Sequence, residues 1–379
     1  MHIGFITSHF PFHDTKSVGG IGTSIKNLSD ELVALGHSVS VFVYGQEKDD
    51  KFIEGGITLV TIKNIKIKGL SWFLTRKKIQ STILKEHEIS KIDIVETPDW
   101  EGISSFINLY CPVVIRLNGS DTYFCHLDNR PVKWINKFHE KRALAKADGH
   151  ISVSQYTADV TNQLFHINKK FTIIPNGINT NSFSNTDTYN DSKTILYFGG
   201  IIRKKGVLEI PHYFNQVIEK IPDAQLILIG QDMYDKLTGN VSTFQMMQQL
   251  FSEEAGLNVK FLGSVPYHEI KKYIEKATLC IFPSYAEALP VSWIEAMAMA
   301  KPVVASNIGW SKEVIDDGID GFLVNPGQHT EYANKIIQFL QNKGLQKELG
   351  IAARKKIERK FSMSIVAQQS LLFYKSLIN

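Results

Sequence analysis

Cysteine is scarce in this chain: Cys111, Cys125 and Cys280 are the three in 379 residues. They show neither the paired spacing of a zinc site nor the density of a disulfide-stapled scaffold, and they fit a reducing compartment. Long apolar runs are absent too, so nothing approaches the roughly 20 residues that a membrane-spanning helix needs. Net charge is nearly balanced, with 42 Lys and Arg against 38 Asp and Glu. An excess of +4 is too small for a nucleic-acid-binding footprint. Met1 runs straight into the strand-like His2–Thr7, leaving no room for a signal peptide and predicting a cytoplasmic protein.

What is present is length and alternation. A chain of 379 residues accommodates two domains of ordinary size. Short apolar runs alternate with helical patterns, as in parallel α/β sheets. His2–Thr7, Ser38–Val43, the stretches 92–100 and 112–117, and Gly149–Ser154 read as strands of one series, and the segment 171–179 closes the first domain. Thr194–Phe198, Gln225–Ile229, the stretch 259–266, Leu279–Phe282, Val303–Ser306 and Phe322–Val324 make a second. Polar, turn-rich residues 179–192 between them read as a linker.

The most informative stretch runs from Phe282 to Gly327. After the strand Leu279–Phe282, Pro283 and Ser284 open a loop that holds Glu287; Pro290 suits the first turn of the helix that follows, and Pro302 limits it. Glu287 then sits at the carboxyl end of a parallel strand, where open α/β sheets bind ligands. Glu295 lies about a turn and a half inside the helix. Two carboxylates flanking a helix N-terminus suit a phosphate bordered by hydroxyls, as in a sugar nucleotide. An arbitrary pair of glutamates eight apart is more often solvated.

The context decides against that reading. Pro283-Ser284-x-x-Glu287, seven residues, then Glu295-Ala296-Met297-Ala298 and Pro302–Ser306 resemble the signature of the family-4 retaining glycosyltransferases of GT-B fold. That resemblance implies two facing Rossmann-like doubly wound α/β domains, residues 1–185 on the acceptor side and 192–361 binding the nucleotide sugar. A C-terminal helix, 362–379, would cross back to the first domain. It also implies that Glu295 holds the donor ribose and Glu287 the donor sugar. Backbone around Ala288, Leu289 and Val291 would then hold the diphosphate, and the loop at Val265 would abut the base. Pro290 and Ala300 stand where the family has glycines.

Two further segments gain meaning from the resemblance. Gly199 and Gly200 end a strand, and Arg203-Lys204-Lys205-Gly206 follows. Lys205 matches the family's diphosphate-binding lysine; Gly200 replaces its arginine, and Arg203 is the candidate substitute reaching in from the loop. Near the N-terminus, the loop Ser17–Ser24 with Gly19 and Gly20 precedes a helix ending at Gly36. Alone it is a binding loop or a flexible turn; the resemblance makes it a contact to donor phosphate or acceptor. Asn118 stands where many relatives place a histidine, with Asp121 and His126 as neighbouring acceptor-side candidates, or as loop residues satisfied by backbone.

The implied catalytic set is Lys205, Arg203 and Glu287. No Asp-x-Asp occurs in the chain, so the usual ligands of a metal clamp are missing and no metal or other cofactor is expected. The expected partners are a nucleotide-sugar donor, with UDP preferred for its wide use, and a saccharide or lipid-linked acceptor. Residues 62–78 carry lysines and Arg76 among Trp72, Phe73 and aliphatic residues. They read as a solvated helix face with a buried stripe or as peripheral membrane contact on the cytosolic face. A sugar-nucleotide epimerase or hydrolase, or a non-catalytic binding protein, are the competing functions.

Overall fold

The computed structural model describes residues 1–12, 19–184 and 192–378. They form two compact units, Met1–Gly177 with Met363–Asn379, and Ile178–Ser362. In the first, β1 (His2–Thr7), β2 (Ser38–Gln46), β3 (Asp50–Glu54), β4 (Ile57–Lys63), β5 (Ile94–Pro98), β6 (Val113–Leu117), β7 (Gly149–Ser152) and β8 (Thr172–Ile173) make one sheet. Its order is β3-β4-β2-β1-β5-β6-β7-β8. Every neighbouring pair is parallel except β3, which turns back antiparallel on β4. The second unit holds β9 (Thr194–Phe198), β10 (Gln225–Ile229), β11 (Val259–Phe261), β12 (Leu279–Phe282), β13 (Val303–Ser306) and β14 (Phe322–Val324). All are parallel, in the order β11-β10-β9-β12-β13-β14.

Central strands of the second sheet are continuous apolar runs because helices cover both faces and leave no side for water. Leu279, Cys280, Ile281 and Phe282 are all buried. In each order the numbering reverses next to the first strand of the unit, between β1 and β5 and between β9 and β12. Loops on either side of such a reversal diverge to opposite faces and leave a crevice at the carboxyl edge. The fold therefore points to the loops after β9 and β12 as the place for a ligand in the second unit.

The units divide at Gly177/Ile178, earlier than the polar stretch read as the linker. Residues 178–184 pack in the second unit: Phe183 is buried, and the Arg354 guanidinium donates to the Phe183 and Thr180 carbonyls. Residues 185–191 lie outside the described part. The segment 62–78 is also more divided than a single helical face. It is the end of β4, a connection, and the start of the helix Ser71–Ile89.

The terminal helix Met363–Ile378 belongs to the first unit, and a buried polar cluster fixes it there. Arg116 on β6 pairs with both oxygens of Glu96 on β5, at 2.7 and 3.0 Å. It also donates to the Ser370 hydroxyl at 3.1 Å and to the Ile174 carbonyl at 3.1 Å. The Tyr374 hydroxyl donates to Glu96 at 2.6 Å. Such a fully enclosed pair contributes little net stability while intact, but removing one partner strands the other charge in an apolar medium at a cost of roughly 3–5 kcal/mol. Glu96→Ala should therefore lower the urea midpoint of the first unit far more than Glu47→Ala at an exposed position just after β2. Equal midpoints for the two variants would contradict this assignment.

Candidate active site

The loops after β9 and β12 are interlocked. The Lys204 carbonyl accepts from the Tyr285 amide at 2.8 Å and the Ala286 amide at 3.2 Å. Gly206, at φ 65°, passes so close to the second loop that a Cβ there would lie 1.8 Å from the Pro283 carbonyl oxygen. Only glycine allows that approach. A similar contact seats the β10 loop: a Cβ on Gly230 would lie 1.8 Å from the Gly199 carbonyl oxygen. Three loops are thereby fixed by backbone, before any side chain is considered.

On this frame the Lys205 ammonium donates to Glu287 Oε1. The Lys205 side chain is 24% exposed and that of Glu287 10%, so a fixed cation stands at the mouth of the crevice with its stem held. Ala288 and Leu289 are buried, and Val291 begins the helix Val291–Ala298. Pro290 is the N-cap of that helix, at φ −75° and ψ 122°, one position before the first turn assigned from sequence. Its lack of an N–H is harmless there. At the other end Ala300 takes φ 54°, the left-handed cap conformation that glycine adopts most readily.

Glu295 is 4% exposed. Burial pushes its carboxyl up to about 7, and a hydrogen bond from Tyr267 works against that rise. The Tyr267 hydroxyl donates to Oε1 at 2.6 Å. Near neutral pH the group is thus poised between an acceptor-only carboxylate and an acid that can also donate. Tyr267 is a site residue that the sequence did not reveal, because nothing in its own segment reports what it meets 28 positions later.

Arg203 is otherwise engaged. Its guanidinium donates to both carboxylate oxygens of Asp235, Nε to Oδ1 at 2.8 Å and Nη2 to Oδ2 at 2.9 Å. Asp235 is 2% exposed, and the guanidinium holds its carboxyl well below the usual range. The arginine lines a separate cavity of about 540 Å³ with Glu209 and His212. The structure gives it no contact with Lys205 or Glu287. At Gly200, by contrast, a Cβ would meet only Ile202 Cγ2, at 3.8 Å, so the place of the family arginine has room for a side chain. Gly199 and Val265 are half-buried loop residues of the same carboxyl edge.

In the first unit the connection after β6 is held by two buried acids absent from the sequence reading. Asp99 accepts from the Asn118 amide at 2.9 Å. Glu140 accepts from the Asp121 amide at 2.8 Å, the Thr122 amide at 3.2 Å and the Thr122 hydroxyl. Burial pushes each carboxyl up to about 7. Each therefore holds a proton that the unfolded chain releases at lower pH, and its contribution to stability falls as pH rises from the ordinary carboxylate range toward 7. Asn118 itself is half-buried. The Asp121 side chain accepts from Asn136 Nδ2 at 2.9 Å. His126 is exposed in the last turn of the helix Asp121–Leu127. Gly19 caps the helix Gly20–Ala34 with extended backbone, and neither Gly19 nor Gly20 would crowd a Cβ. Ser17 and Val18 lie outside the described residues.

Known proteins share this fold. The profile of the family described as Glycosyl transferases group 1 matches residues 179–356, and that described as Glycosyltransferase Family 4 matches residues 18–182. An uncharacterized glycosyltransferase of Methanocaldococcus jannaschii is 24% identical over 352 residues, covering 91% of each chain. Among solved structures, sucrose-phosphate synthase of Thermosynechococcus elongatus superposes with a TM-score of 0.80 at 21% identity over 99% of this chain and 98% of that one. Anabaena HepE, solved with UDP-glucose, superposes at 0.73 with 18% identity over 99% and 100%.

Tyr267→Phe removes the hydroxyl that favours the ionised form of Glu295 and so should move its titration to higher pH. If ionised Glu295 holds the nucleotide, the UDP dissociation constant measured at pH 7 should rise about 5- to 20-fold and its pH dependence should shift upward. A variant with the wild-type pH profile would show that Glu295 and Tyr267 do not act on the nucleotide.

Proposed function

Because the chain belongs to the family-4 glycosyltransferases of GT-B fold, we propose that it is a retaining enzyme using a nucleoside diphosphate sugar, with UDP as the nucleotide. It moves a hexosyl or N-acetylhexosaminyl group to an acceptor hydroxyl in cell-surface polysaccharide or glycolipid synthesis. The observation that carries this reading is the pairing of Lys205 with Glu287 at the strand-order reversal, with Glu295 in the helix that follows. The UDP-glucose complex of a structural neighbour supports the choice of nucleotide.

In the reaction the anomeric C–O bond to the diphosphate breaks, and a new C–O bond forms to the acceptor oxygen. The acceptor proton leaves with the departing phosphate oxygen, on the face that the diphosphate vacates, which accounts for retention. Negative charge grows on the diphosphate as the bond stretches. Lys205 and the amides from Ala288 to Val291, Pro290 excepted, neutralise it; a fixed donor of this kind contributes roughly 3–4 kcal/mol to the barrier reduction. Glu287, oriented by Lys205, holds donor-sugar hydroxyls. Glu295 takes the ribose hydroxyls. Val265 and the glycines Gly199 and Gly200 leave backbone open to the nucleotide. The acceptor, a saccharide or lipid-linked saccharide, is placed in the first unit around Gly19, Gly20, Asn118, Asp121 and His126. No metal takes part in this scheme.

Lys205→Ala should reduce kcat by about 10²-fold or more while the protein stays folded. EDTA should leave wild-type turnover unchanged. Wild-type kinetics in a folded Lys205→Ala variant, or full loss of activity in EDTA restored by a divalent cation, would overturn the scheme. Gly200→Arg should fold with unchanged melting temperature, since the position has room, and should raise kcat/KM several-fold by adding a second cation at the diphosphate. A Gly200→Arg variant with wild-type kcat/KM would place the diphosphate away from this strand end.

A further inference from the structure

The positive charge of residues 62–78 does not act where the sequence suggests. Arg76 is buried and donates to the carbonyls of Trp72, Glu101 and Gly102. Lys78 is paired with Asp49 at 2.6 Å, and Lys77 donates to the Phe106 carbonyl. Lys66 and Lys68 remain exposed. They flank Ile67, which is 49% exposed, and precede Leu70 at 53%.

This connection meets a second element with the same character. Trp72, at the start of the helix Ser71–Ile89, packs on Phe106 at a centroid distance of 5.6 Å and on His139 at 4.7 Å. Phe106 in turn meets Phe138 at 6.4 Å, with the Arg142 guanidinium 4.1 Å above its ring. Phe138 and His139 lie on the helix Trp134–Lys146. Trp134 on that helix is 76% exposed and Phe138 47%, in line with Lys141, Arg142 and Ala145 by helical spacing. A shallow cavity of about 220 Å³ opens between Phe138, Arg142 and Lys146.

Lys133 is the N-cap of this helix and Lys137, Lys141 and Lys146 lie on it, and none makes an ion pair among the described residues. The one acid on the helix, Glu140, is buried and turned to the Asp121 and Thr122 amides. From position 55 to 85 the chain has no Asp or Glu at all. The result is a face with exposed aliphatic and aromatic side chains, a rim of lysines, and no exposed carboxylate on either contributing element. On a soluble surface a fully presented tryptophan beside further exposed apolar groups marks an interaction site.

We propose that this face of the first unit, formed by Lys66–Trp72 and the exposed side of Trp134–Lys146, docks on a lipid bilayer bearing anionic headgroups. Lysines meet the negative surface potential, while Trp134, Phe138, Ile67 and Leu70 enter the headgroup boundary, the division of labour that interfacial segments use. Aliphatic anchors favour lipid over nucleic acid, where aromatic side chains stack on bases but Ile and Leu have no counterpart. The docking face adjoins the acceptor-side loop directly, since Asn136 in the first turn of the helix donates to Asp121 at 2.9 Å. A lipid-held acceptor would thus reach that loop without leaving the bilayer surface.

The test is co-sedimentation of the full-length protein with vesicles of phosphatidylcholine alone or mixed with phosphatidylglycerol, read without donor or acceptor and so independent of the transferase assignment. Binding should require phosphatidylglycerol and weaken steeply with salt, because surface attraction is screened within about 10 Å at 0.1 M. Lys141→Glu with Lys146→Glu should lower partition at least 20-fold, each lysine near such a surface being worth about fivefold. Trp134→Ala with Phe138→Ala should lower it about 10-fold or more and remove the salt-resistant fraction. All these positions are exposed, and unchanged circular dichroism and melting temperature identify a folded variant. No vesicle binding by the wild type, wild-type binding retained by both double variants, or binding to single-stranded RNA in place of vesicles would each overturn the proposal.

Discussion

One carbonyl oxygen carries the architecture of the donor-side site. The Lys204 carbonyl receives two amides from the loop after β12, and Gly206 lets the loop after β9 lie flat against Pro283. Backbone atoms thus bring together two segments about 80 positions apart, at the point where the parallel sheet reverses its order. The Lys205 and Glu287 side chains meet because their main chains are already fixed. This is pre-organisation: the cation that would face a leaving diphosphate is held before any ligand arrives, which is when electrostatic stabilisation is most effective.

The two units solve the same problem with different groups. In the second, glycines permit close backbone contact, and one buried acid, Glu295, stays poised near neutrality beneath Tyr267. In the first, two buried acids serve as acceptors for loop amides: Asp99 under Asn118, and Glu140 under Asp121 and Thr122. Burying three carboxyls pushed up to about 7 is costly for stability above that pH, and each is offset only as far as the amides and hydroxyls around it allow. The stabilised element in every case is a loop at the carboxyl edge of a sheet, where ligands bind in open α/β folds.

Much of this was legible in the residues. Continuous apolar runs with terminal glycines and prolines disclosed eleven of the parallel strands, and the pattern around Glu287 and Glu295 placed the first in the loop after a parallel strand and the second in the helix that follows. What escaped had a common cause: it depends on partners distant in sequence. Arg203 looks like a free cation beside Lys205 until Asp235, from a Gln- and Met-rich connection with no pattern, is folded against it. Tyr267 lies at the start of an ordinary amphipathic helix. The basic run 62–78 looked uniform, yet it splits into strand, connection and helix, with its charges partly buried or paired. The edge strand Asp50–Glu54 is short, charged and antiparallel, and its alternation was too brief to register. Domain division at Gly177 rather than in the polar stretch reflects Phe183, a single buried anchor in an otherwise loop-like composition.

The central claim is that the second unit alone grips a nucleoside diphosphate between Lys205 and the helix beginning at Val291. A crystal structure with bound UDP-sugar tests it most directly. The account predicts the diphosphate against the Lys205 ammonium and the amides from Ala288 to Val291, with the ribose hydroxyls on Glu295. A nucleotide seated elsewhere, with Lys205 still closed on Glu287 and Glu295 still capped by Tyr267, would contradict it.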